Sequence, residues 1–329
     1  MTNKNDAPVI AMAGVFQRGK SMLINCLLAE DIADIGEGLP TTHVVGKYSH
    51  GDEGVFLHDD DDSKPKWFRL DDYWDIHQKH QLRLEKWKKE GSKKEDKPKG
   101  SFDSLRQVSF TLPRKNLLKT QLMDTPGVNS EDKSDTERTF KALEDEADFI
   151  IMLVSDEKLG QTQQELIQKV CLTKKPFIVV MNCRDEGYWS PENERNIDVA
   201  KDIESDIDAT GQSPWTITKD VQVWRCNILW YWCAMLKKGN HPDTGRFASK
   251  LDTEWTKTIK YFTQRNKPVP ELDELARLSN VQPLIDFITG TSGTKARNLP
   301  ALLAIHGAYN EYRNAIIQKI NQAKEIITG

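Results

Sequence analysis

Residues 14–21 read Gly-Val-Phe-Gln-Arg-Gly-Lys-Ser and follow directly on the apolar run 7–13. Glycine, four residues, then glycine, lysine and serine is the spacing of a phosphate-binding loop. Its glycines permit a turn tight enough for successive backbone N–H groups to face an anion. Lys20 has the reach to meet β- and γ-phosphates, and the Ser21 hydroxyl suits Mg²⁺. The apolar run before the loop predicts a buried strand. The residues from Lys20 onward predict a helix whose N-terminus adds positive potential at the same place. Strand, loop and helix in this order restrict the chain to an α/β architecture: a mostly parallel sheet with helices on both faces. Gly14, Gln17, Arg18, Gly19, Lys20, Ser21 and Met22 are the expected nucleotide contacts of this segment.

Later segments decide which base such a loop would serve. Residues 119–129 predict a strand running into Asp124-Thr125-Pro126-Gly127, where Asp124 would hold Mg²⁺ through water and the Gly127 N–H would meet a γ-phosphate. Residues 147–156 predict a central strand, the segment after Gly160 a helix, and residues 176–185 another strand ending in Asn182-Cys183-Arg184-Asp185. A carboxylate at that strand end accepts from both N1–H and the 2-amino group of guanine, a donor pair adenine lacks. The expectation is therefore GTP and GDP rather than adenine nucleotides, with Asp185 reading the base and Asn182 bracing the surrounding loops. Between the first helix and the next strand, Leu39-Pro40-Thr41-Thr42 offers the threonine that must fold over γ-phosphate and Mg²⁺. Thr42 is taken for that role, with Thr41 as the alternative. The metal set is then Ser21, Thr42 and Asp124.

Composition narrows the setting. The net charge of −4 gives no basic bias toward nucleic acid, so none is expected as a partner. No apolar run reaches the ~20 residues that span a bilayer. The polar N-terminus reads as free of a signal peptide. Five cysteines without a C-x-x-C pair read as reduced thiols, and the expectation is a cytoplasmic protein, at most peripheral to a membrane. A membrane contact is open but unsupported by the residues.

The Leu39–Thr42 switch, the Asp124–Gly127 motif and the span 147–166 together resemble the dynamin superfamily of large GTPases. The phosphate loop is most similar to its atlastin and guanylate-binding-protein branch, where bulky and basic residues fill the variable positions and an arginine precedes the base-reading aspartate, as Arg184 does here. The lysine that covers the base in N-K-x-D is replaced by Cys183, and Arg184 is expected to take over that stacking. No glutamine closely follows Asp124–Gly127. The resemblance instead implies that a phosphate-loop residue handles the attacking water once two GTPase domains pair. Gln17 would orient the water, Arg18 would neutralise developing charge, and Thr42 would complete the catalytic set. Self-association through the GTPase domain is the partner this implies. The long stalk typical of such proteins exceeds what residues 296–329 can supply.

Domain organisation follows. Residues 1–295 are expected to form the GTPase domain, with insertions at about 50–103 and 235–278, and residues 296–329 a C-terminal helix that starts a stalk or bundle. Within the first insertion, residues 70–90 have helical spacing, 91–100 read as a charged loop, and His77 and His80 as a surface pair rather than a zinc site. The strand 104–113 is expected to lead antiparallel into the strand ending at Asp124. Asn227 lies where the loop covering the base is expected, and Trp230, Tyr231 and Trp232 read as core. The functional expectation is a Mg²⁺-dependent GTPase activated by pairing and coupling hydrolysis to movement of attached helices. The alternatives are a slow nucleotide-gated switch that recruits a partner, or an Era-type monomeric GTPase.

Overall fold

The computed structural model describes residues 7–15, 18–33, 44–59, 64–90, 105–128, 133–155, 160–183, 194–215, 222–239, 248–290 and 298–328. Among the described residues nine strands form one sheet: β1 (Val9–Gly14), β2 (Val45–His50), β3 (Gly54–Asp59), β4 (Lys66–Phe68), β5 (Leu105–Leu112), β6 (Gln121–Asp124), β7 (Phe149–Ser155), β8 (Phe177–Asn182) and β9 (Val223–Cys226). Their order is β4-β3-β5-β2-β6-β1-β7-β8-β9. The helices are α1 (Lys20–Leu28), α2 (Leu70–Lys89), α3 (Lys133–Asp145), α4 (Gln161–Leu172), α5 (Glu194–Asp208), α6 (Ile228–Lys237), α7 (Ala248–Gln264), α8 (Leu272–Leu278), α9 (Gln282–Thr289) and α10 (Leu299–Thr328).

The two halves of the sheet carry different sequence patterns for a physical reason. Every residue of β7 (Phe-Ile-Ile-Met-Leu-Val-Ser) and of β8 (Phe-Ile-Val-Val-Met-Asn) is buried. Parallel strands covered on both faces need such unbroken apolar runs. The strands β6, β1, β7, β8 and β9 run parallel to one another. On the other side β5 alternates over its second half, burying Val108, Phe110 and Leu112. That period of two marks a strand with one face in the core.

The inserted half is anchored by an aromatic cluster. Tyr48 of β2 stacks on Phe110 of β5 with centroids 5.0 Å apart. From α2, Tyr73 meets Phe110 edge-on at 5.4 Å, and Trp74 lies 6.2 Å from it. Here the structure corrects two expectations. His80 is buried and His77 packs on the rings of Tyr73 and Trp74, so they are not a surface pair. And β5 does not neighbour β6: β2 lies between them, parallel to β5 and antiparallel to β6. Nothing in residues 104–124 encodes that, because the intervening strand comes from some sixty residues earlier.

Trp230, Tyr231 and Trp232 are all buried in α6. That helix packs against α1, α7 and α8, and α1 also touches α9. The start of α10 is held by its buried Leu299 and Leu303 and by Asn298, whose Oδ1 accepts the Ala301 N–H at 2.9 Å. Farther along, Tyr309, Ile316 and Ile317 are exposed. Among the described residues no helix is long and apolar enough to cross a membrane.

Candidate functional site

The carboxyl ends of the parallel strands bring together Gly14 (β1), Asp124 (β6), Ser155 (β7), Asn182 (β8) and Cys226 (β9). The chain crosses from one side of β1 to the other between β6 and β7. Such a crossing opens a crevice at the carboxyl edge, where ligands of open α/β sheets bind.

In that crevice Lys20, the first residue of α1, is buried, and its Nζ donates to the carbonyls of Gly14 at 3.1 Å and Val15 at 3.2 Å. Two of its three ammonium protons are engaged in these bonds. Burial depresses its pKa to about 8, Asp124 opposes the shift, and the Arg18 guanidinium adds to it. Two cations close enough to disfavour one another make a place where an anion is welcome. The Ser21 hydroxyl donates to Asp124 Oδ2 at 2.7 Å. A hydroxyl and a buried carboxylate in contact are the oxygen donors Mg²⁺ uses, and the pair fits that ion. Met22 follows on α1, half-buried.

The loop after β6 is held at three points, by β1, by α3 and by the first residue of the phosphate loop. Thr125 Oγ1 donates to the Met12 carbonyl at 2.7 Å, and Thr139 Oγ1 to the Pro126 carbonyl at 2.8 Å. The Val128 N–H donates to the Gly14 carbonyl at 3.2 Å. One carbonyl, that of Gly14, therefore joins the phosphate-loop lysine to the segment carrying Gly127.

Asn182 bridges in another direction. Its Nδ2 donates to the Arg18 carbonyl at 3.1 Å, and its Oδ1 accepts the Ile228 N–H at 3.1 Å, at the start of α6. Gly19 sits beneath it with φ +92°, and a Cβ there would lie 2.6 Å from Asn182 Nδ2. Both conformation and space demand glycine at this position. Asn227 is a buried N-cap, its Oδ1 accepting the Trp230 N–H at 2.9 Å. Its side chain is thus committed to α6.

Of the expected site residues, Gly14, Arg18, Gly19, Lys20, Ser21, Met22, Asp124, Gly127 and Asn182 gather around this crevice or on its loops. Gln17, Thr41, Thr42, Arg184 and Asp185 lie outside the described residues. Sequence reasoning missed two supports. Buried Asn25 of α1 donates to Asp31 Oδ1 at 3.0 Å and the Ala33 carbonyl at 2.9 Å, and accepts from the N–H groups of Ile32 and Ala33, fixing the chain as it heads toward Thr41 and Thr42. Buried Gln163 of α4 donates to Ser155 Oγ at 2.7 Å, pinning the end of β7. A buried polar side chain inside an apolar run, as Asn25 is, was the available signal.

Comparison with solved structures gives distant similarities. Chains of an oligomerised bacterial dynamin pair, described in connection with long-range sensing and tethering of membranes, match with TM-scores of 0.45 and 0.44 at 17% and 14% identity, over 68% and 86% of this chain. Era bound to MgGDPNP and a segment of 16S ribosomal RNA matches with a TM-score of 0.37 at 16% identity, over 71% of this chain. The chain spans 31% and 37% of the bacterial dynamins and 55% of Era. No curated protein sequence matches it. The profile of the dynamin family, in contrast, matches residues 10–184, just over half of the 329 residues and the segment running from β1 through the phosphate loop to Arg184. The chain belongs to the dynamin family.

Proposed function

We propose that this chain is a Mg²⁺-dependent GTPase whose turnover rises when two copies pair through their GTPase domains. The observation that carries the reading is the convergence of Lys20, Ser21, Asp124 and Asn182 at one sheet edge, with a lysine half-committed to the loop carbonyls and a hydroxyl–carboxylate pair beside it. Lys20 and the loop N–H groups would bind the phosphates. Ser21, Asp124 and Thr42 would hold the metal ion, which supplies charge neutralisation between the β- and γ-phosphates when bound. Asp185, with Arg184 over the base, would select guanine, and Asn182 would keep the base end and phosphate loop in register.

In this reading Gln17 orients the attacking water and Arg18 offsets charge developing on the transferred phosphoryl group. The nearness of Arg18 to Lys20 supports the second role. Hydrolysis is then mainly positioning and electrostatics, and loss of phosphate moves the attached α10. The reading implies a cytoplasmic protein that binds GTP and GDP and associates with itself.

The test is equilibrium binding of GTP, GDP and ATP by wild-type and Lys20→Ala protein. Micromolar or tighter GTP binding that ATP does not compete, lost by at least a hundredfold in Lys20→Ala, is the expected result. Equal binding of ATP would remove Asp185 as a guanine reader.

A further inference from the structure

The free edge of β9 is occupied by a turn rather than a strand. β9 ends the sheet, with β8 on one side only. An exposed strand edge ordinarily presents unpaired N–H and C=O groups. Here residues 279 and 280, between α8 and α9, engage one backbone carbonyl of β9, an indole N–H of the same strand and the N–H of the residue that follows it. The Asn227 N–H donates to the Ser279 carbonyl at 2.8 Å. Asn280 Nδ2 donates to the Arg225 carbonyl at 2.8 Å, and the Asn280 carbonyl accepts the Trp224 indole N–H at 2.9 Å. Three bonds thus run from one two-residue turn to residues 224, 225 and 227.

The turn is itself built for this. Asn280 has φ +57°, a left-handed conformation that asparagine tolerates better than most residues. Ser279 is fully buried, and its hydroxyl donates to the Ala276 carbonyl while accepting the Val281 N–H at 3.3 Å. Tyr231 OH, one turn into α6, donates to Gln282 Oε1 at 2.6 Å, tying the start of α9 to α6 as well.

What matters is where these bonds lead. Asn227 and Ile228 are consecutive, and their N–H groups bond to different partners: Ile228 to Asn182, Asn227 to Ser279. The Cys183 N–H donates to the Cys226 carbonyl at 2.8 Å, extending the β8–β9 pairing one residue toward Arg184 and Asp185. The end of β9 is therefore held between Asn182 and Cys183 on one side and the Ser279–Asn280 turn on the other.

We infer that Asn280 is a positioning residue for nucleotide recognition: by fixing the end of β9 it sets Asn182, and the base-reading segment that follows it, without touching nucleotide. The inference rests on the guanine-nucleotide reading above. It predicts that loosening the turn weakens base selection while leaving the phosphate loop intact.

The experiment compares wild type, Asn280→Asp, Asn280→Gly and the control Asn266→Asp. Aspartate and glycine both tolerate the left-handed backbone but remove the amide donor. Asn266 is another left-handed asparagine, and its N–H bond stays within the last turn of α7. The measurements are dissociation of fluorescent GDP, the affinity ratio of GDP to IDP, which lacks the 2-amino group, and the melting temperature. Loss of one hydrogen bond predicts about two- to tenfold faster GDP release in both Asn280 variants. The GDP:IDP ratio should fall in both, with Asn266→Asp unchanged. GDP release and GDP:IDP ratio both at wild-type values would overturn the inference. So would GDP and IDP weakening equally alongside a lowered melting temperature, which would make Asn280 a support of the fold only. Wild type that retained no guanine nucleotide would instead remove the reading beneath the inference, and the inference with it.

Discussion

At the scale of single residues, the site depends on a few atoms that have no substitute. Gly19 is one. An alanine there would take up a left-handed φ costing about 1–2 kcal/mol and drive its Cβ into Asn182 Nδ2. Gly19→Ala is expected to lose that stability by urea unfolding and to bind nucleotide at least tenfold more weakly. Lys20 makes a prediction about pH. In the unfolded chain it keeps its proton to about the ordinary 10.5, and in the folded, nucleotide-free protein only to about 8. Between those values the unfolded state binds more protons, so the stability of the nucleotide-free protein rises with pH across that window. Nucleotide affinity moves oppositely: only the charged lysine is competent, so the apparent Kd rises about tenfold per unit above pH 8. Calorimetric titrations between pH 7 and 9.5 read both the affinity and the accompanying proton uptake. The spacing of the phosphate loop was legible in sequence, since it has a chemical meaning. The closeness of Gly19 and Asn182 was not: their contact joins positions 163 apart, and no local pattern records it.

At the scale of elements, the strands β1, β7 and β8 could be read directly, because parallel strands buried on both faces need long apolar runs and here have them. Their order could not. β2 lies between β5 and β6 through a pairing that only tertiary structure specifies. The edge of β9 is closed by a turn from beyond α8, and the bonding residues carry no turn signal beyond Asn280 itself. Asn227 follows directly on β9 and caps α6, a role that was missed because an N-cap shows in sequence only once the helix boundary is known. Asn227→Ala is expected to cost about 0.5–2 kcal/mol in urea unfolding through loss of the α6 cap. The buried Trp230 N–H would lose its acceptor, setting the effect toward the upper end. Because the first residue of α6, Ile228, makes the bond to Asn182, the same variant should also release GDP faster.

At the scale of the whole molecule, the sheet divides the labour. The parallel half carries the candidate site, and the inserted half, braced by Tyr48, Tyr73, Trp74 and Phe110, widens the other edge. The helix α10 starts on buried Leu299 and Leu303 and then extends with Tyr309, Ile316 and Ile317 exposed. Its helical spacing was plain in sequence, while its lack of intramolecular cover over those residues was not, since an apolar stripe looks the same whether or not something packs on it. The central claim concerns molecules in pairs, and the most direct test is GTP turnover per molecule measured over a hundredfold range of protein concentration, with ATP as control. The account predicts specific activity that climbs with concentration, ATP left untouched, and the climb abolished in Arg18→Ala. Slow turnover that stays flat with concentration, in protein that still binds GTP tightly, would contradict it.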